Sequence, residues 1–203
     1  MNNVQQFLTA RLQGQPEHWF SRFNPPITNT HPTKTIELAE LWDETTSEQH
    51  RPLTERIRAA TTDDERKKLK ARLPYVTPAG CFKHPRTNAD LTAPSGLLVA
   101  DFDKLRSVRE ARAALLADEV FGDDVMFLFT SPTGNGVKVF LRTDPDEDHL
   151  TNYRQCVDYL AGKYRTLGLV ADESGKNVSR ACYICYDPTA YLHSSYTSAW
   201  ITQ

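Results

Sequence analysis

Between residues 96 and 186 the sequence alternates apolar runs of strand length with stretches of helical spacing. This rhythm restricts the fold more than any other feature. GLLVADFD, Gly96 to Asp103, reads as a strand. Residues 107–116 follow as a helix, with Val108, Ala111, Leu115 and Leu116 on one face. Residues 124–130 and 137–143 are apolar runs joined by the turn SPTGNG, a hairpin signal. Residues 146–166 predict a long helix through Leu150, Tyr153, Val157, Leu160 and Tyr164, residues 169–172 a short strand, and residues 180–186 a last one.

The order is β-α-β-β-α-β, the split arrangement of ferredoxin-like α+β folds. Right-handed crossovers place strand 97–103 antiparallel between strands 137–143 and 180–186, with 125–130 beyond. The C-terminal end of 97–103 then meets the starts of both neighbours. Residues 1–74 predict a mostly helical accessory segment packed on a core of residues 75–203. Trp19, Phe20 and Phe23 before Asn24-Pro25-Pro26 predict a short helix and an irregular connection. A brief strand over 33–36 and helices through Leu38, Leu41 and Trp42, over 52–60 and over 63–73 complete it, the last capped at Thr62 and stopped by Pro74.

Composition bounds the function classes. No run approaches the ~18 apolar residues of a membrane span, and MNNVQQFLTARLQGQ lacks the pattern of a secretory leader. The expectation is a cytoplasmic protein with no membrane contact. Its cysteines Cys81, Cys156, Cys182 and Cys185 are expected as thiols, with the C-x-x-C of Cys182 and Cys185 serving core packing rather than zinc. The net charge of −2 speaks against a generic nucleic-acid coat, yet residues 51–90 carry ten Lys/Arg against five Asp/Glu, a local +5 that leaves −7 elsewhere.

Three motifs converge on the predicted sheet edge. Asp101 and Asp103, two apart on a strand, share a face opposite Leu98, Ala100 and Phe102. Their mutual repulsion suits Mg²⁺ or Mn²⁺, although an acidic strand end facing solvent has the same appearance. In SPTGNGVK, Ser131 to Lys138, the glycines permit a turn whose N–H groups are placed to approach a phosphate, and Lys138 lies on the aspartate face with Phe140 and Arg142, although an ordinary hairpin turn before an alternating strand also exposes a lysine. The third motif, DESGKNVSR, offers Asp172 as a candidate further metal ligand and Arg180 as a candidate bidentate phosphate contact, although a polar loop with one surface salt bridge between the two has the same appearance.

Together LPYVTPAGCF, SGLLVADFD, FTSPTGNGVKVF and DESGKNVSRACYICYDPTAYL resemble the VirE N-terminal-type domain of the archaeo-eukaryotic primase (prim-pol) superfamily, over residues 33–192. The resemblance implies an RRM-like catalytic core and two-metal nucleotidyl transfer from NTP or dNTP onto a strand paired with a single-stranded DNA or RNA template. It implies Asp101, Asp103 and Asp172 as metal-binding catalytic residues, and Ser131, Asn135, Gly136, Lys138 and Arg180 as nucleotide-binding ones. Lys138 stands where many relatives have histidine. Phe82, Lys83, His84 and Arg86 are expected to touch template by charge and stacking. The implied setting is mobile-element, phage or CRISPR-associated DNA replication, with a helicase or replication proteins as partners. The rivals are a metal-dependent nuclease and an inactive nucleotide- or single-strand-binding module. The nuclease pattern wants an acid two residues before the lysine, where Gly136 stands.

Overall fold

A computed structural model describes residues 18–144 and 146–197. It is a mixed α+β fold built on antiparallel sheets. The strands are β1 (Phe20–Phe23), β2 (Lys34–Ile36), β3 (Tyr75–Thr77), β4 (Gly80–Phe82), β5 (Leu91–Pro94), β6 (Leu97–Phe102), β7 (Val125–Thr130), β8 (Val137–Arg142), β9 (Cys182–Tyr183) and β10 (Tyr191–Leu192). The helices are α1 (Leu38–Thr46), α2 (Arg51–Ala59), α3 (Asp63–Lys70), α4 (Val108–Leu116), α5 (His149–Lys163) and α6 (Ser194–Thr197). Among the described residues no helix is long and apolar enough to cross a membrane.

Capping side chains set several helix starts. Thr62, Ser107 and Asp148 accept from the N–H of Glu65, Glu110 and Thr151, so α3, α4 and α5 begin where the sequence supplies an oxygen for their free N–H groups.

One sheet runs β10-β7-β8-β6. Its β7–β8 hairpin closes at Thr130 opposite Val137, and β6 pairs β8 with Asp101 opposite Lys138. Leu98, Ala100, Phe102, Val137, Val139 and Leu141 share a core with Ala111 and Leu115 of α4 and Tyr153, Cys156 and Leu160 of α5. This is the helix-facing side expected from the alternation.

The opposite side is not open. Leu97, Val99, Phe127, Phe129 and Phe140 share a second core with Phe20, Ile36, Leu38, Leu41, Ile57 and Leu69 of the N-terminal segment. Every residue of β6 is consequently buried. The aspartate face therefore lies between layers, and only its end reaches the surface.

Two expectations are corrected. The segment over 180–186 does not lie beside β6. Its two strand residues join the sheet β2-β1-β3-β9 by pairing Tyr75 and Val76. Apolar Cys182, Ile184 and Cys185 fill the core beneath the N-terminal segment, and the place beside β6 goes to one antiparallel bridge between Phe102 and Ala171. Phe20–Phe23 is a strand rather than part of a helix, so the described part of the accessory segment holds two strands besides its helices. Trp19, Phe20 and Phe23 have helical spacing, but Phe20 and Phe23 are both fully buried in strand geometry. Part of the short helix expected near the N-terminus falls on residues 1–17, outside the described residues.

Candidate functional site

Antiparallel register places Asp101 and Lys138 side by side, with relative exposures of 8% and 7%. Lys138 Nζ donates to Asp101 Oδ2. Burial alone would lower the lysine pKa, but the Asp101 charge and hydrogen bond raise it, so the ammonium stays charged in the interior. The other oxygen, Asp101 Oδ1, is buried with no hydrogen-bond partner. An unsatisfied carboxylate oxygen is costly and calls for a donor or a cation.

Asp103 follows at the rim, where Lys104, at φ 56°, turns the chain away. The residue is exposed as a whole, yet its carboxylate is partly desolvated. That desolvation and then repulsion by Asp101 push its pKa up, against Lys138 and Lys70. The glycine turn is built against it. A Cβ at Gly136 would stand 2.5 Å from the Phe102 carbonyl oxygen and 2.7 Å from Asp103 Oδ1, so only glycine fits. Ser131 Oγ meets Thr133 Oγ1 at 3.0 Å, and Thr133 donates to Asn135 Oδ1 at 2.6 Å. These side chains brace the turn, whose Asn135 carbonyl also accepts from the Leu105 N–H at 2.9 Å.

Asp172 reaches the same place by its backbone, donating its N–H to the Asp101 carbonyl at 2.9 Å. Its carboxylate is engaged elsewhere. Oδ2 accepts from Arg180 at 2.6 Å and Oδ1 from the Ser174 N–H at 3.0 Å. Burial opposes ionisation, but the Ser174 hydrogen bonds and the Arg180 charge hold its pKa low. Among the described residues no group of three or more His, Cys, Asp or Glu side chains is assembled to hold a metal ion. The expected three-carboxylate set is thus not gathered. Asp101 and Asp103 come together, and Asp172 stands by, paired with Arg180. The orphaned Asp101 oxygen and the raised pKa of Asp103 fit one divalent cation, which for Mg²⁺ is commonly held by one or two carboxylates and completed by substrate phosphates and water.

Residues 68–192 match the model of the BT4734-like, N-terminal domain family. The chain belongs to that family. It is a different family from the VirE N-terminal type that the motifs resemble, and its match begins at residue 68 rather than 33. No curated protein and no solved structure matches the chain.

The matched span of this BT4734-like domain contains all the site residues described, and one that sequence reasoning passed over. Lys70, the last residue of α3, is half-buried and sits over the Tyr183 ring, its Nζ 5.7 Å from the centroid. Burial lowers its pKa, and the charges acting on it are Lys138, Asp103, Asp101 and Arg180. In the sequence it is one of four basic residues over 66–70. The signal that separates it is the helical phase of Arg66, Leu69, Lys70 and Leu73, which turn inward while Lys67 and Lys68 are exposed.

The expected template contacts divide. Phe82 is 5% exposed and belongs to the interior, because the β4–β5 pairing turns it inward. Lys83 and His84 are exposed, and His84 stacks on His31 with centroids 3.4 Å apart. Arg86 lies over the Tyr75 ring, 5.0 Å from the centroid, and donates to the Ser179 carbonyl oxygen. It thereby supports the loop that carries Arg180. Cys182 and Cys185 are buried free thiols, each pushed up to about 12 by burial.

Proposed function

We propose that this BT4734-like domain is a primase-polymerase-like nucleotidyltransferase that binds NTP or dNTP beside Asp101, Asp103 and Lys138 and extends a strand on a single-stranded template. The observation that carries the reading is the buried Asp101–Lys138 pair with its unsatisfied Asp101 oxygen next to Asp103. The succession β6-α4-β7-β8-α5, followed by the Ala171 bridge beside β6, supports an RRM-like core for it.

Asp101 and Asp103 would hold the divalent cation, and Asp172 would join them once Arg180 turns to a phosphate. Bound Mg²⁺ or Mn²⁺ supplies a lowered pKa for a 3′-hydroxyl and charge neutralisation for departing pyrophosphate. Lys138 and Arg180 neutralise the phosphates, and the N–H groups of the glycine turn border them. The hydroxyl oxygen bonds to the α-phosphorus, the bond to pyrophosphate breaks, and the hydroxyl proton leaves to solvent. Mobile-element, phage or CRISPR-associated replication with a helicase, in the cytoplasm, is the setting that goes with this chemistry.

A second reading is a module that binds nucleotide or single strands without turnover. The paired states of Lys138 with Asp101 and Arg180 with Asp172 favour it, because both cations are already engaged. Incubation with labelled NTPs or dNTPs, primed template and Mn²⁺ or Mg²⁺ separates the readings on a sequencing gel. Lengthened products that vanish in Asp101→Asn/Asp103→Asn support the transferase. Shortened template replaces it with a nuclease, and binding without products leaves the module.

A further inference from the structure

The two cations that the sequence assigns to phosphate, Lys138 and Arg180, are both ion-paired, with Asp101 and Asp172. Two other cations reach the site from the helices ahead of it without a carboxylate partner among the described residues. Lys70 Nζ lies 5.7 Å from the centroid of the Tyr183 ring, and the charges of Asp101, Asp103, Lys138 and Arg180 act on it. Arg58, on α2, lies across the glycine turn. A Cβ on Gly134 would stand 3.3 Å from Arg58 Cδ and Nε, and its guanidinium donates only to the Tyr186 carbonyl, at 3.1 Å. A half-buried ammonium with no carboxylate in direct contact bears a desolvation penalty that a bound anion would offset.

We propose that Lys70 and Arg58 are substrate-binding residues which grip the triphosphate tail of the incoming nucleotide, so that α2 and α3 form the outer wall of the nucleotide site. The inference rests on the nucleotidyltransferase reading above and names who holds the substrate. Lys70 lies over Tyr183 of β9, where the charges of Asp101 and Asp103 reach it, and Arg58 lies against the turn at Gly134, so the two flank the residues from 134 to 138 that lead into β8. A nucleic-acid backbone would instead ask for cations spaced along an exposed path. These two converge on one strand end.

The test is calorimetric titration of the whole chain with inorganic tripolyphosphate and Mg²⁺, and in parallel with oligo-dT. Lys70→Gln should weaken tripolyphosphate binding about tenfold and Arg58→Gln about threefold, while Lys70→Arg stays within about twofold of wild type. Oligo-dT affinity should change by less than about twofold, and the melting temperature of each variant should match wild type, which sets aside misfolding. Unchanged tripolyphosphate affinity in Lys70→Gln overturns the inference. So does a parallel loss of oligo-dT affinity, which would assign the residue to the strand backbone, or a wild-type chain that binds no tripolyphosphate. Lys70-dependent tripolyphosphate binding in a chain that makes no product upholds the inference and sinks only the transferase reading.

Discussion

Asp172 gives its N–H to the Asp101 carbonyl at 2.9 Å while its carboxylate accepts from Arg180 at 2.6 Å. The backbone is thus fixed at the site and the side chain held just off it by one guanidinium. Arg180→Gln should free the Asp172 carboxylate to turn towards Asp101 and Asp103. Mn²⁺ affinity, read by electron paramagnetic resonance, should rise about threefold or more with the added ligand charge. Nucleotide affinity should fall under the phosphate-binding role proposed for Arg180. A drop in Mn²⁺ affinity in this variant would mean that Asp172 plays no part in holding a cation.

The Asp101–Lys138 pair makes a stability prediction of a different kind. Lys138→Met leaves a buried carboxylate without its partner, a change that costs about 3–5 kcal/mol. Replacing both, as Asp101→Leu/Lys138→Met, should recover much of that loss, since no uncompensated charge remains. Chemical denaturation of the three chains measures it. Added Mn²⁺ should raise the stability of Lys138→Met, where a cation can take the place of the ammonium, and leave the double variant unmoved. Equal responses in both would argue against a cation at Asp101.

Alternation along 97–103 and 137–143 was enough to place Asp101, Asp103 and Lys138 on one face, because a strand period of two leaves no freedom once one face is apolar. The register that sets Asp101 opposite Lys138 pairs β6 with β8 across the intervening α4 and β7, so the β7–β8 turn does not fix it and packing of the apolar residues on both strands does. What covers that face was not legible. Phe20 and Phe23 have helical spacing in sequence yet lie in a strand, and the run ACYICY states that it is buried without stating which strand it pairs. Partner choice depends on contacts distant in sequence, here Tyr75 with Tyr183. Lys70 escaped for the same reason, since the charges that act on it, those of Asp101, Asp103, Lys138 and Arg180, come from far along the chain.

Gly136 ties the glycine turn to Asp103. Gly136→Ala would put a methyl group within 2.5 Å of the Phe102 carbonyl oxygen and 2.7 Å of Asp103 Oδ1. Backbone atoms cannot give way as a flexible side chain does, so overpacking should cost about 1–3 kcal/mol. The displaced Asp103 should also weaken Mn²⁺ binding. Gly162→Ala, where nothing lies within 4 Å of the new Cβ, is the control and should keep metal binding and keep or slightly raise stability, since alanine is the better helix former. Equal effects at the two positions would remove the close approach as the cause.

The clearest pH dependence lies away from the site, where Glu44 joins α1 to β1. Its carboxylate accepts from Arg22 at 2.8 and 2.9 Å and meets His50 Nε2 at 2.9 Å. Burial would raise its pKa, but the hydrogen bonds from His50 and Arg22 prevail and bring it down from 4.5 to about 2. A depressed folded pKa means stability that is fully present above the unfolded value and is lost as pH falls through the folded one. The window is therefore pH 4.5 down to about 2, and the contribution is on the order of 3 kcal/mol. Glu44→Gln should be less stable than wild type at pH 6, and the gap between the two urea midpoints should close as the pH approaches 2. A gap that stays constant from pH 6 to pH 2 would show that Glu44 does not titrate with unfolding and that the Arg22–Glu44–His50 cluster holds the strand to the helix by packing alone.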